Sequence, residues 1–84
     1  MGGIMPENSI LLEIWVPQLA RGFDVSAAGS LFLSGLLRGA FERLGLCGRK
    51  GAVFSMLLER ELNPERTLFQ EGVTDGDKLI LIYF

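Results

Sequence analysis

The stretch from Thr74 to Phe84 constrains this chain more than any other. Asp75-Gly76-Asp77 is a tight-turn sequence, and six of the seven residues after it are apolar. A short continuous apolar run bounded by turn residues reads as a strand in the middle of a sheet, covered on both faces. A chain finishing on a central strand cannot be trimmed there. A free tail at that end, of the kind that carrier proteins use, is not expected.

Eighty-four residues make one domain. A chain of this size buries roughly 60–65% of its unfolded surface. Yet 49% of its residues are hydrophobic, and its mean hydropathy is +0.35. A small interior cannot hold so much apolar surface, so part of it is expected to be exposed or covered by a partner. Eight Lys and Arg against ten Asp and Glu give a charge of −2, which is no nucleic-acid footprint. One cysteine and no histidine exclude a disulfide framework within the chain and Cys/His zinc sites. A reducing, cytoplasmic setting is expected. No apolar stretch reaches the roughly 20 residues of a membrane span, so no direct membrane insertion is expected.

Residues 1–8, with two glycines and a proline, read as a loose leader to a single domain over 9–84. Ile10 to Val16 alternates as a strand, with Ile10, Leu12, Ile14 and Val16 facing the core. Pro17 ends it. Gln18–Gly22 links it to a short second strand, Phe23–Val25, with Asp24 outward. Ser30 is the expected N-cap of a helix over Leu31–Leu44. Leu33, Leu36, Leu37, Ala40, Phe41 and Leu44 form its apolar stripe, and Gly45 stops it. Gly35 and Gly39 inside the helix read as points of close helix–sheet packing. Val53–Leu58 is a third strand whose inward face alternation alone does not choose. Asn63-Pro64 marks a turn, Leu68-Phe69 opens one helical turn, and the last strand follows.

One amphipathic helix must cover one face of a mixed sheet. The first two strands pair as a hairpin. The last strand, being the most apolar, lies in the middle and parallel to the first, with the helix in the crossover. The expected fold is α+β, a β-grasp sheet of four to five strands with one helix across one face. The residues agree. Leu62-Asn63-Pro64-Glu65-Arg66-Thr67-Leu68 followed by Lys78-Leu79-Ile80-Leu81-Ile82 resembles the ubiquitin pattern. Gly72-Val73-Thr74-Asp75-Gly76-Asp77-Lys78-Leu79 is similar to a bacterial subset, the YukD/EsaB-type ubiquitin-like proteins of type VII secretion systems. The resemblance implies an accessory or regulatory component of such an apparatus, with its membrane or ATPase components as partners.

The chemical alternatives are weak. Sulfur carriers and protein modifiers need a slim Gly-Gly end, and Tyr83-Phe84 stands at that end here. Cys47 has cationic neighbours but no histidine base, so it reads as an inert loop thiol. Asp75-Gly76-Asp77 lacks the ligand series of a calcium loop. Glu59, Glu61 and Glu65 read as a solvated edge. No cofactor is implied, and no enzyme is expected. What remains is a surface: Trp15, Ile80 and Ile82, with Met56 from the third strand, would form one apolar patch on the sheet face away from the helix. This chain is therefore expected to bind protein through Trp15, Met56, Ile80 and Ile82, with a second copy of itself among the candidate partners. A purely structural homo-oligomer is the other non-catalytic alternative.

Overall fold

The computed structural model describes residues 9–84; the leader expected over residues 1–8 lies outside them. Five strands and two helices follow one another: β1 (Ser9–Val16), β2 (Arg21–Ala28), α1 (Leu33–Arg43), β3 (Gly51–Ser55), β4 (Arg60–Glu61), α2 (Leu68–Glu71) and β5 (Asp77–Tyr83). They form one mixed sheet in the order β2-β1-β5-β3-β4. β5 is central, parallel to β1 and antiparallel to β3. This is the β-grasp arrangement expected from the sequence.

The core lies between α1 and one sheet face. Ile10, Leu12, Ile14 and Val16 of β1 meet Leu79 and Leu81 of β5, Val53 of β3, and Leu33, Leu36, Leu37, Ala40 and Phe41 of α1. Each is an apolar residue at the spacing its element requires, period two in strands and three to four in the helix. The continuous apolar run of β5 is not covered on both faces. Leu79 and Leu81 are wholly buried, whereas Ile80 and Ile82 on the other side are half-buried. The covering helix is on one side only, so the run marks a central position and not a two-sided core.

Four local expectations are corrected. The second strand runs over eight residues, because β2 pairs with β1 along its entire length, from Ser9–Ala28 to Val16–Arg21. A 3-10 turn at Pro17–Leu19 leads into it, closed by Ala20 in the left-handed region. The helix begins at Leu33, and Ser30 does not cap it. Its first free amides are met by backbone from a distant segment: Leu33 N–H donates to Arg66 O (2.9 Å) and Ser34 N–H to Pro64 O (2.8 Å). Those groups need partners, and the tertiary contact supplies them where a side chain was expected.

The third strand starts two residues earlier than expected and stops at Ser55, with Val53 and Ser55 inward. Met56–Glu59 is a turn. Finally, Gly39 is not a point of close packing, since a Cβ there would meet nothing within 4 Å. The close approach is at Gly51, where a Cβ would stand 2.6 Å from the Phe41 ring and 2.6 Å from the Ile82 carbonyl oxygen. The stop at Gly45 holds: its φ is 76°, and Leu46 N–H returns to Phe41 O at 2.7 Å.

Candidate functional site

Strand register assembles a row of side chains on the face opposite α1. Gly22 lies beside Trp15, Trp15 beside Ile80, and Ile80 beside Phe54. Phe54 in turn lies beside Glu61. One step along, Ile82 neighbours Ala52. One step the other way, Asp24, Glu13 and Lys78 stand side by side, with Lys78 Nζ 3.8 Å from Glu13 Oε2. The centre of the open face is thus apolar, and its rim carries three carboxylates against one ammonium. The exposed Glu13–Lys78 pair contributes at most about 1 kcal/mol to stability. Its consequence is the charge pattern.

Trp15 is held flat. A Cβ on Gly22 would stand 2.8 Å from Trp15 Cε3, so the indole covers the gap that glycine leaves. Phe54 keeps 39% of its surface exposed. Of the residues the sequence nominates, Trp15, Ile80 and Ile82 share this face. Met56 lies one residue past β3. Its amide donates to Lys78 O at 3.0 Å, while its side chain is exposed in the turn. The apolar β3 neighbours of β5 on this face are Phe54 and Ala52, which sequence reasoning did not nominate. The signal that names them is the register of β3 against β5. Alternation within β3 cannot supply it.

Two buried carboxylates brace the frame: Asp77, which the sequence marked only as a turn residue, and Glu71, which it did not single out. Asp77 accepts from Ser55 Oγ at 2.5 Å and from the Leu57 N–H at 3.1 Å. Glu71 accepts from the Asn63 N–H (2.8 Å) and Arg60 (2.9 Å), and Arg66 Nε stands 2.9 Å from its other oxygen. The Asn63 amide bond, then the Arg60 hydrogen bond, hold the Glu71 carboxyl below its ordinary value of 4.5; burial pushes the other way. Glu71 thereby ties β4, the loop before α2 and α2 itself together. Glu59, Glu61 and Glu65 are exposed, as expected of a solvated edge. Asp75 serves the turn: its Oδ1 accepts the Leu11 N–H at 2.8 Å, and Gly76 takes a φ of 85°. Among the described residues, no group of three His, Cys, Asp or Glu is placed to hold a metal. No helix among them is long and apolar enough to cross a membrane.

No protein-family model matches the chain, and none of the curated proteins does. Solved structures match over nearly its whole length. A designed protein based on ubiquitin is 23% identical, with a TM-score of 0.76 over 92% of this chain and 90% of that one. The ubiquitin-like domain of Plasmodium falciparum Dsk2 is 17% identical, with a TM-score of 0.75 over 90% and 99%. That of an Arabidopsis thaliana protein is 16% identical, with a TM-score of 0.75 over 90% and 78%. The fold is ubiquitin-like. At these identities the likeness extends to the fold and no further.

Proposed function

We propose that this chain is a non-catalytic protein-contact module working through the open sheet face, with Trp15, Phe54, Ile80 and Ile82 at its centre and Met56 at its margin. The observation that carries this reading is the continuous row Trp15–Ile80–Phe54 in the middle of a rigid sheet, on the side away from α1. Apolar surface of that kind gains about 25 cal/mol per Å² when covered. A tryptophan anchored on a glycine loses little freedom on binding, which suits it to the centre of an interface. The rim of Asp24, Glu13 and Glu61 favours a partner whose apolar patch is edged with Lys or Arg.

The setting in this reading is cytoplasmic. The partners are membrane or ATPase components of a type VII-like secretion apparatus, and that part rests on the resemblance of Gly72–Leu79 alone. Neighbouring secretion genes, or co-purification with such components, test it.

The contact face is tested directly. Proteins retained on the immobilised chain from its native cell are compared between the wild type, Trp15→Ala/Ile82→Ser, and Arg38→Glu on the exposed side of α1. The affinity of a recovered partner is expected to fall about tenfold or more in the first variant and to hold in the second. Trp15, the one tryptophan, should shift its emission to shorter wavelength on binding. Full affinity in the double variant removes the face from the argument.

A further inference from the structure

The sheet ends in two dissimilar edges that match one another. At the β2 edge, an apolar groove of about 360 Å³ runs between β2 and α1. Phe23, Val25, Ala27, Leu31 and Leu36 line it, and Gly39 leaves it open. Phe23, Val25 and Leu31 point towards the interior yet stay only half-buried, because the helix offers no side chain at Gly39 to cover them. Arg43 stacks on the Phe23 ring at 3.9 Å and sets a positive charge at one end of the groove. Exposed Arg21 opens β2 nearby.

At the other edge, the turn between β3 and β4 presents apolar side chains to solvent. Met56 is 56% and Leu57 60% exposed. The turn is not loose. Met56 N–H donates to Lys78 O, Leu57 N–H to the wholly buried Asp77 carboxylate, Leu58 N–H to Ser55 Oγ, and Glu59 N–H to Ser55 O. Glu59 closes it at a φ of 57°, a strained setting for a residue with a side chain. Burying a carboxylate is costly. Here it fixes a turn in which the side chains of Met56 and Leu57 have no cover. Exposed Glu59 and Glu61 flank them.

We propose that the chain associates with itself head to tail, the Met56–Leu57 turn of one copy seating in the β2–α1 groove of the next. An apolar knob meets an apolar groove, and Glu59 and Glu61 meet Arg43 and Arg21. Knob and groove lie on opposite edges of the sheet, so the contact is heterologous and propagates into rings or filaments instead of closing as a two-fold dimer. Trp15, Ile80 and Ile82 stay uncovered in this contact, although Met56 and Glu61 at the margin of their face take part in it, and the proposal does not rest on the role of that face.

Sedimentation of the full chain across concentration tests this. The wild type should grow past dimer as concentration rises, while its Trp15 emission stays constant. Leu57→Glu, with groove intact, and Gly39→Phe, with knob intact, should each remain monomeric with an unchanged circular dichroism spectrum. Mixed in equal amounts they retain one good contact, and should form a dimer and nothing larger. Should Gly39→Phe fail to fold, Arg43→Glu serves for the groove, weakening association about tenfold, with Glu59→Arg restoring it. Three results would overturn the proposal: a wild type monomeric throughout, association that survives Leu57→Glu, or association that shifts Trp15 emission.

Discussion

Ile14 and Trp15 are adjacent in β1 and both lie beside β5, yet Ile14 is wholly buried and Trp15 is half-exposed. Leu81 and Ile82 repeat the contrast in β5. At the centre of the sheet both faces are apolar, Leu79 and Leu81 on one side and Trp15, Phe54, Ile80 and Ile82 on the other, and α1 covers only one. At that centre, hydrophobicity by itself does not separate core from surface. The position of the single long helix does. The inner face supplies stability, and the outer face leaves apolar area in contact with solvent.

The sharpest way to break this contrast is a pair of truncations one residue apart. Leu81→Ala should cost about 2–5 kcal/mol, because it opens a cavity in a closed core. Ile82→Ala should cost about 1 kcal/mol or less. Urea denaturation of the two proteins reads the difference, and equal costs would mean that the outer face is part of the core. Gly51→Ala comes next, at about 1–3 kcal/mol in the same assay, since its Cβ would press on Phe41 and the Ile82 carbonyl. Gly39→Ala should go the other way. Its Cβ enters open space within a helix, and the protein should gain up to about 1 kcal/mol, seen as a higher melting temperature.

The smallest effect is a change of slope. Glu71 has its carboxyl pKa held down in the folded chain. The stability it contributes is complete above its ordinary value of 4.5 and is lost as pH falls through the lower folded value. Glu71→Gln should flatten the acid limb of a plot of urea midpoint against pH, leaving the two sheet faces as distinct as before.

Much of the frame was legible beforehand. The alternation of Ile10, Leu12, Ile14 and Val16, the helical stripe from Leu33 to Phe41, and the stop at Gly45 are local signals, and each holds. The centrality of β5 followed from its apolar run. The failures have a common source. Ser30 lost the cap to the Arg66 and Pro64 carbonyls, and β2 was lengthened by pairing with β1. The third strand was cut short at Ser55, where Asp77 and Ser55 draw the chain into a turn. For the helix start, the far end of β2 and the end of the third strand, a partner distant in sequence supplied the hydrogen bond, and no short window of residues contains that partner.

The candidate site divides in the same way. Trp15, Ile80 and Ile82 could be assigned to one face because side chains alternate every two residues along any strand. Which residue stands beside them, Phe54 in β3 or Met56 just past it, required the register of two strands more than twenty residues apart.

The order of the main elements, the apolar faces of β1, α1 and β5 and the parallel pairing at the sheet's centre were set by the amino-acid sequence alone, since they depend on periodicity and on the few ways one helix can cover one sheet. Tertiary structure alone decided which apolar residues stay uncovered, how Asp77 and Glu71 brace the turns, and that a groove lies open beside Gly39. Those outcomes depend on the distances between segments far apart along the chain, and hydrogen bonds and side-chain volumes act through such distances.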